Sequence, residues 1–382
     1  MLDQADTEHF GRTLEEKRNF ILSALKLQSN KLLDTQEKIE RVVKLMLKHW
    51  QILDSTDGSM RIGRVSGIKH KILLKPDAIL SHEKPRPLNP IIRKEVETQL
   101  QKWEKQGVTQ RCNGFPRHTS PLVPVMKKNG GIRCCIDFRK INAQSINQVY
   151  PLPSIQEALA CMAGYSYFSC IDCQNAYMAV ELEEESKDLT GISTTCGSFI
   201  FNRLPFGLQG GTQTYSQAIA TALEKLPKGV AMPYLDDSIC PASSFDEMVR
   251  NLDMVFTALG DAGIIISARK TKLFRDKVDY LGFKISEHGI GTVKSYIKAI
   301  TSIPTPQTIT EVKSLLGKFT YYKRFIENFS SIAKPIIQAY TDAEKTFHKK
   351  IKKSKKFLEA IEMLKKKITS APILAHPNWE SD

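Results

Sequence analysis

The sequence predicts an α+β fold, because helix and strand patterns are mixed along the chain instead of alternating regularly. Residues 120–126 and 132–137 have the pattern of two strands joined by the turn Lys127-Lys-Asn-Gly-Gly131. Residues 91–106 and 211–226 carry helical patterns. The chain has 382 residues, of which 41% are hydrophobic and 25% are charged. This length and balance predict two or three compact units with a sizeable core and exclude wholesale disorder.

Helical patterns flank the mixed centre on both sides. Residues 1 to about 50 place apolar side chains mostly three and four apart, and a Gly/Ser-rich break at Ser55–Ser59 ends that unit. The segment Thr308-Ile-Thr-Glu311 resembles a capping box at the start of a helix that runs towards Tyr322. A lysine-rich run, Lys345–Lys356, leads into an amphipathic helix that ends near Thr369.

The distribution of charge indicates a polyanionic partner. The formal net charge is +14, and residues 291–382 contain 17 Lys and Arg against 8 Asp and Glu, so +9 of the excess lies in this last quarter. A concentrated positive surface suits nucleic acid, with an affinity that falls as salt rises. From charge alone, a merely solvated basic tail remains an alternative.

Several classes of protein are excluded at this level. No uncharged apolar run approaches the roughly 20 residues of a membrane span, and the N-terminus carries acids without an apolar segment. We therefore expect a soluble, non-secreted protein. The eight cysteines lie between Cys112 and Cys240, and only Cys170 and Cys173 have CxxC spacing, so we expect reduced thiols used for packing and no zinc site.

Three aspartates are the strongest chemical signal. Asp236 and Asp237 follow Tyr234 and Leu235 at the tip of a predicted strand-turn-strand, and Asp172 ends a short apolar strand upstream. Adjacent acids repel, so two ionised carboxylates call for a divalent cation or strong donors. Three oxygen ligands suit Mg²⁺, and two such ions about 3.5–4 Å apart would serve phosphoryl transfer. In isolation, an exposed acidic turn is the simpler alternative.

The proline before this turn predicts where the strand lies. Pro233 has no backbone N–H, so a strand that contains it is tolerated only at a sheet edge or at the flank of a hairpin. We expect the strand leading into the Asp-Asp turn to be such a strand.

Seven segments, in order, resemble those of reverse transcriptases of gypsy-type LTR retrotransposons (Metaviridae), from about residue 65 to residue 378. They comprise the acidic box, the first catalytic strand, the nucleotide-contacting loop, the fingers motif, the step into the palm, the primer grip and the thumb. In this sequence they are Tyr234-Leu-Asp-Asp237, Phe168-Ser-Cys-Ile-Asp172, Leu204-Pro-Phe-Gly-Leu208, Arg133-Cys-Cys-Ile-Asp-Phe-Arg-Lys-Ile-Asn142, Tyr150-Pro-Leu-Pro153, Tyr280-Leu-Gly-Phe283, and Leu316-Gly317 with Tyr321-Tyr-Lys-Arg-Phe325. Each segment is modest alone, but the ordered set is highly specific.

The resemblance implies a right-hand architecture of fingers, palm and thumb. The predicted boundaries of its three parts are 59–146 and 182–210 for the fingers, 147–181 and 211–286 for the palm, and 287–345 for the thumb. Residues 1–58 are predicted to form an N-terminal helical extension that packs on the body or mediates assembly. Residues 346–382 are predicted to be a basic segment leading towards an absent ribonuclease H domain. We accordingly expect a piece of a larger pol polyprotein, or a subunit without ribonuclease H beside a longer partner.

The resemblance assigns Asp172, Asp236 and Asp237 to catalysis and to two Mg²⁺ ions, for which Mn²⁺ is an alternative. It also assigns residues to the incoming nucleotide, namely Lys127, Lys128, Arg133, Tyr177, Phe206 and Gly207. Tyr177 corresponds to the aromatic residue that crowds the sugar 2′ carbon and excludes ribonucleotides, although a core tyrosine is the commoner fate of such a residue. From the residues alone, the lysines fit a solvated turn equally well.

Contacts with the primer-template are implied for a third group, which comprises Tyr234, Tyr280, Leu281, Gly282, Lys318, Lys323 and Arg324. Lys323 and Arg324, expected on the thumb helix, would follow duplex phosphates without reading sequence. Tyr321 and Tyr322 would lie against the core or the minor groove.

The implied activity is that of an RNA-directed DNA polymerase, which extends a primer 3′-hydroxyl with dNTPs and copies retrotransposon RNA into cDNA. The implied partners are an RNA–DNA or DNA–DNA primer-template and dNTPs, with a homodimer or a heterodimer left open. The implied location is the cytoplasm, within virus-like particles, with nuclear access left open. Two rival interpretations are a non-catalytic nucleic-acid-binding or scaffold subunit of the same fold, and an RNA-dependent RNA polymerase.

Overall fold

The computed structural model describes residues 11–54, 61–112, 114–127, 130–148, 150–151, 154–235, 237–345, 351, 353–370 and 374. The chain divides into two compact units, one formed by residues 1–154 and 167–275 and the other by residues 155–166 and 276–382. Each unit combines helices with antiparallel strands, which confirms the predicted α+β class. No helix within the described ranges is both long enough and apolar enough to cross a bilayer.

The first unit contains most of the strands. In chain order its elements are α1 (Leu14–Ala24), α2 (Gln36–Lys48), β1 (Lys69–His70), α3 (Pro90–Lys105), β2 (Thr109–Arg111), β3 (Thr119–Met126), β4 (Ile132–Ile136), α4 (Arg139–Gln144), β5 (Tyr167–Asp172), β6 (Glu181–Leu182), α6 (Glu184–Lys187), β7 (Gly191–Thr194), β8 (Gly197–Phe201), α7 (Gly211–Leu223), β9 (Met232–Tyr234), β10 (Asp237–Ala242), α8 (Phe245–Asp261) and β11 (Lys272–Arg275).

The second unit is largely helical around one small sheet. Its elements are α5 (Ile155–Ala160), β12 (Lys277–Tyr280), β13 (Phe283–Ser286), β14 (Gly289–Thr292), α9 (Lys294–Thr301), α10 (Ile309–Tyr321), α11 (Phe329–Lys345) and α12 (Lys355–Thr369). Thr308 caps α10 by accepting from the Glu311 N–H, and the Glu311 carboxylate accepts from the Gln307 N–H over 2.7 Å. Hydrogen bonds from the backbone of Gln307 and of Thr308 lower the pKa of this carboxyl, which agrees with the predicted cap at the start of α10.

An antiparallel four-stranded sheet in the order β11-β5-β10-β9 forms the floor of the candidate site. Helix α8 packs against β10 and β5, because its apolar side chains repeat on one face and join the core. Pro233 lies in β9 at the edge of this sheet, which confirms the position expected for a proline. The Asp-Asp turn is therefore carried by a short hairpin at the sheet margin.

A second sheet, in the order β2-β8-β7-β3-β4, contains the predicted hairpin. Strands β3 and β4 are antiparallel, with Met126 opposite Ile132 at the end of their ladder next to the turn. Gly130 and Gly131 both have positive φ, a conformation that side chains disfavour and that this tight turn requires. The hairpin predicted from the sequence is thus confirmed.

The N-terminal segment forms two helices instead of one continuous helical stretch. Helix α1 begins with a full capping box between Thr13 and Glu16, and it ends where Lys26 adopts φ 52°. A 3-10 turn, Leu27–Ser29, follows, and α2 starts at Gln36 with Thr35 as its cap. The apolar spacing continues through this break, which is why the sequence pattern did not reveal it.

These two helices pack on the body of the first unit. Ile21, Val42 and Met46 are fully buried and belong to the same core as α8. The Asn30 side chain donates to the Leu273 carbonyl over 2.9 Å, and Asp54 accepts from the Ala268 N–H over 2.9 Å. The N-terminal segment is therefore an integral layer of this unit.

Candidate active site

Two of the three predicted aspartates lie opposite each other in the central sheet. Asp172 is the last residue of β5 and Asp237 is the first of β10, and the antiparallel register pairs them directly. The Asp172 N–H donates to Thr271 Oγ1 over 3.2 Å, and its carbonyl accepts from the Ser267 N–H over 2.8 Å. These backbone bonds hold the end of β5 in place, so the two carboxylates share one edge of the sheet.

The electrostatics of this pair favour a cation. Asp237 remains accessible to solvent, yet partial desolvation by the surrounding protein raises the pKa of its carboxyl group, and the negative charge of Asp172 raises it further. The Lys270 ammonium lies 3.3 Å from Asp172 Oδ1. Both Lys270 and Lys272 act to lower the pKa of Asp237. A site where carboxylates repel each other and lysines reduce that repulsion is suited to a divalent cation with a preference for oxygen ligands.

The third aspartate, Asp236, lies outside the described residues. Within the described ranges, no group of three or more His, Cys, Asp or Glu side chains is arranged to hold a metal ion. Asp172 and Asp237 are the two predicted metal ligands that the structure describes, and their carboxylates lie opposite each other as a shared cation would require. On the other side of the turn, Tyr234 is the register partner of Asp237, and Leu235 has φ 54°.

Tyr177 and Phe206 form an aromatic pair in the same unit. Tyr177 lies on a 3-10 turn, Ala176–Ala179, that follows β5. Its ring centroid is 5.0 Å from that of Phe206 and 5.7 Å from that of Tyr215. Phe206 is 55% exposed, which is unusual for a phenylalanine and leaves its ring available to a ligand.

The Leu204–Leu208 loop is fixed by a residue to which the sequence analysis gave no role. Asn142, at the end of the fingers motif, donates its side-chain N–H to the Gly207 carbonyl over 2.8 Å and accepts from the Gln209 N–H over 2.9 Å. Gly207 has φ 92°, so this position requires a glycine. Asn142 thus joins the fingers motif to the loop, a contact between distant residues that the sequence pattern did not signal.

The fingers hairpin presents its cations to solvent. Lys127 and Arg133 are exposed on β3–β4, with Arg133 opposite Val125 in the ladder. Lys128 lies outside the described residues. Nearby, Arg139 donates to Asp137, which holds the pKa of that carboxyl at about 2. The exposed pair has the positive charge that binding of a triphosphate requires.

The predicted primer-template residues of the second unit gather around a two-residue hairpin. Leu281 and Gly282 join β12 to β13 with φ 48° and 72°, the double positive φ of a type I′ turn. Their carbonyls accept from the hydroxyls of Tyr321 and Tyr322 over 2.5 and 2.9 Å respectively. Phe283 stacks on Tyr321 at 5.1 Å. The end of α10 is therefore fastened to this hairpin.

The predicted primer-template residues of the second unit differ in how far their side chains are exposed. Tyr280 is 2% exposed and belongs to the core, and Tyr322 is 4% exposed, with burial raising the pKa of its hydroxyl to about 12. Lys318 is exposed on α10. Buried Tyr280 can act on a ligand only through its backbone or its packing, whereas Lys318 is accessible to one.

The prediction that Lys323 and Arg324 lie on the thumb helix is wrong. Helix α10 ends at Tyr321, and Lys323–Phe325 form a separate 3-10 turn. The physical reason is tertiary, since Tyr321 and Tyr322 bond to the hairpin carbonyls and Phe325 is buried beside Phe283. Both cations nevertheless remain exposed.

The α+β fold, with Asp172 and Asp237 paired at one edge of an antiparallel sheet, is that of a polymerase, and comparison with known proteins agrees. Residues 125–285 match the family model described as reverse transcriptase (RNA-dependent DNA polymerase). This segment includes Asp172, Asp237 and the Leu204–Leu208 loop. The segment from residue 125 to residue 285 therefore belongs to the reverse transcriptase family.

The relatives that the chain matches include Pol polyproteins of transposons. The chain is 30% identical over 341 residues to the retrovirus-related Pol polyprotein from transposon 297 of Drosophila melanogaster, with 88% of this chain and 32% of that protein covered. It is 34% identical over 247 residues to the Pol polyprotein from transposon gypsy of the same organism, with 63% and 24% covered. The chain thus spans about a third or less of the length of these relatives.

Solved structures support the fold. A foamy viral protease-reverse transcriptase in complex with double-stranded DNA is similar with a TM-score of 0.81 at 22% identity, covering 97% of this chain and 62% of that one. The foamy viral enzyme in complex with an RNA/DNA hybrid gives a TM-score of 0.77 at 22% identity, covering 97% and 48%. At this identity the likeness is one of fold.

Proposed function

We propose that this chain is an RNA- and DNA-templated DNA polymerase that extends a primer 3′-hydroxyl with dNTPs and copies retrotransposon RNA into cDNA. The observation that carries the proposal is the register that sets Asp172 opposite Asp237 inside the segment matched to the reverse transcriptase family. The family match supports the reaction class, and the register supports its proposed location at this edge of the sheet. The primer hydroxyl attacks the α-phosphate of the nucleotide, and pyrophosphate leaves.

The metal ligands of this proposal are Asp172, Asp236 and Asp237, which would hold two Mg²⁺ ions, with Mn²⁺ as an alternative. When bound, such ions supply charge stabilisation for the attacking and leaving oxygens. Desolvation raises the pKa of Asp237 and the negative charge of Asp172 raises it further, and a cation at this edge would relieve the repulsion between the two carboxylates. The carboxylates therefore act as ligands, and the lysine beside them limits their repulsion while the site is free of metal.

We assign the incoming nucleotide to the exposed cations and the aromatic pair of the first unit. Arg133, Lys127 and Lys128 would grip the triphosphate, for which an arginine offers bidentate contacts. Tyr177 would face the sugar, and Phe206 with Gly207 would lie against the base pair. The exposure of Phe206 and the positive φ of Gly207 support close approach of a ligand to this loop.

The proposed partner is a primer-template duplex. The foamy viral relatives of this fold were solved with double-stranded DNA and with an RNA/DNA hybrid. In this chain, the formal net charge of +14 and the exposed cations Lys318, Lys323 and Arg324 support binding to such a polyanion. We further propose action in the cytoplasm within virus-like particles, as expected of a retrotransposon polymerase, with dimerisation left to experiment.

The test is primer extension on an RNA template with Mg²⁺ and dNTPs, comparing the wild type with Asp237→Asn and with Asp236→Asn/Asp237→Asn. We expect extension by the wild type and a loss of at least about 100-fold in both variants, because an amide cannot replace an anionic metal ligand. Asp261→Asn is the matched control, since Asp261 is an exposed aspartate at the end of α8. It should extend primers at the wild-type rate.

Three results would contradict the proposal. Full activity of Asp237→Asn would remove the carboxylate pair from the reaction. Tight binding of the primer-template by a wild-type chain that does not extend it would instead support a scaffold subunit. A preference for ribonucleotides would move the assignment to an RNA polymerase.

A further inference from the structure

The hydroxyl groups of Tyr177 and Thr212 lie 2.9 Å apart, at hydrogen-bond distance, although 35 residues separate them in the sequence. Tyr177 lies on the 3-10 turn after β5, and Thr212 lies in the first turn of α7. No motif in the sequence singles out Thr212. The bond joins Tyr177, the residue proposed to face the nucleotide sugar, to a helix outside the seven segments that carry the family resemblance.

The faces of the Tyr177 ring are already packed. Phe206 lies with its ring centroid 5.0 Å away at an interplanar angle of 50°, and Tyr215 is stacked at 5.7 Å and 25°. Contacts of this kind restrain the tilt of a ring but let it slide within its own plane, because dispersion is non-directional. A hydrogen bond at the para position restrains that remaining movement.

The start of α7 is built to approach this ring closely. A Cβ atom added at Gly211 would lie 3.3 Å from Leu204 Cδ1 and 3.6 Å from Tyr177 Cδ1, so the absence of a side chain allows the close packing. Two residues beyond Thr212, the Thr214 hydroxyl lies 2.8 Å from Nδ1 of the buried His70. The first turn of α7 is therefore held firmly enough to act as a reference point for Tyr177.

We propose that Thr212 is a positioning residue that sets the discrimination between deoxyribonucleotides and ribonucleotides by holding the Tyr177 ring through its hydroxyl. The inference rests on the proposed polymerase function, in which Tyr177 crowds the sugar. Exclusion of a single 2′-hydroxyl depends on steric contact, and displacement of a functional group by about 1 Å is enough to change such selectivity greatly. Thr212 acts on the sugar only through Tyr177.

The experiment measures single-nucleotide incorporation from matched dNTP and rNTP substrates and compares the ratio of the two kcat/KM values. Thr212→Val removes the hydroxyl at nearly constant volume, and Thr212→Ser retains it. We expect Thr212→Val to lower the dNTP/rNTP ratio by about three- to tenfold, the effect of one lost hydrogen bond. Thr212→Ser should stay within about twofold of the wild type, and dNTP incorporation should persist in both variants.

A double-mutant comparison separates positioning from a general structural role. Tyr177→Phe removes the other half of the bond, so we expect it to lower the ratio as Thr212→Val does, and the double variant should lower it no further. Thr221→Val is the matched control, because Thr221 is an exposed threonine on the same helix. Its ratio should equal that of the wild type.

The outcomes distinguish this inference from the function on which it rests. An unchanged ratio in Thr212→Val, additive effects in the double variant, or failure of Thr212→Ser to retain selectivity would each overturn the role of Thr212 while leaving the polymerase intact. Absence of dNTP incorporation by the wild type would reject the proposed function and this inference together. A Thr212→Val chain that fails to fold would leave Tyr177→Phe and Thr212→Ser to decide the question.

Discussion

His70 is a fully buried histidine next to the first turn of α7. It is 1% exposed, and within the described residues Thr214 is the one hydrogen-bond partner of its imidazole, at Nδ1, while Nε2 has none. Burial lowers the pKa of the imidazole to about 4. Because a histidine in the unfolded chain titrates near 6.5, the unfolded state binds more protons between these two values. His70 therefore favours the folded state above this window and disfavours it as the pH falls through it.

We predict that the free energy of unfolding falls as the pH is lowered from 7.5 to 5, and that His70 accounts for about 2 kcal/mol of this loss. The reason is that the pKa of its imidazole is about 4 in the folded chain and 6.5 in the unfolded chain. His70→Gln should reduce the measured loss by that amount, whatever its effect at pH 7.5. Urea unfolding at the two pH values gives the comparison. His288→Gln, a substitution of an exposed histidine, should show the full wild-type loss. An equal loss in His70→Gln would show that His70 is not the titrating group.

Individual side chains also show where sequence reasoning stops. The pattern predicted Asp172 and Asp237 as candidates because apolar runs mark β5 and β10, whose ends must lie at a common edge if they pair. The roles of Lys270, Asn142 and Thr212 were missed, since each acts through a contact with a residue more than 30 positions away in the sequence. Such contacts depend on the assembled fold.

At the scale of elements, the N-terminal helices are the part that the family resemblance did not cover. Helix α2 buries Ile39, Val42, Val43, Leu45 and Met46, and its polar residues reach α8. Lys48 and His49 both contact Asp253, each at 2.7 Å. Together these contacts make α1 and α2 dependent on the body of the first unit, because helices of this length are marginal in isolation.

We predict that Met46→Ala lowers the free energy of unfolding by about 2–5 kcal/mol, the usual result of emptying a fully buried side-chain site. Lys44→Ala, on the exposed face of the same helix, should change it by no more than about 0.5 kcal/mol. Urea unfolding followed by circular dichroism measures both. A change below about 0.5 kcal/mol in Met46→Ala would mean that α2 is not part of the cooperative core.

Elements were predicted well where local periodicity decides them and poorly where tertiary contacts do. The β3–β4 hairpin, β5 and α12 follow from apolar spacing and turn residues. The end of α10 does not, because it is set by hydroxyl bonds from Tyr321 and Tyr322 to the β12–β13 hairpin. The break after α1 also escaped notice, since Lys26 takes a positive φ without the glycine that usually signals one.

At the scale of the whole molecule, the excess of positive charge governs association with nucleic acid. Each duplex phosphate that a protein neutralises steepens the logarithmic salt dependence of binding by about 0.9. Lys323 and Arg324 lie on a 3-10 turn and not on α10, but both are exposed. They therefore remain candidates for contacts with duplex phosphates.

We predict that Lys323→Ala/Arg324→Ala weakens primer-template binding and reduces the slope of log Kobs against log salt by about 1.8, two phosphate contacts at about 0.9 each. Fluorescence anisotropy over a salt series measures the slope. Lys31→Ala/Lys44→Ala removes the same charge from exposed positions of the first unit and should leave the slope unchanged. Equal reductions in both double variants would attribute the effect to net charge alone.

The edge position of Pro233 has a consequence for how molecules of this protein meet each other. The outer side of a terminal strand normally offers N–H and C=O groups to an incoming chain, and this is a common start of edge-to-edge aggregation. Strand β9 has only three residues, and its central one has no N–H to offer. The hairpin that carries the candidate catalytic turn is therefore a poor template for adding another strand. The β9 edge of the sheet can therefore stay accessible to a substrate without promoting β-pairing between molecules.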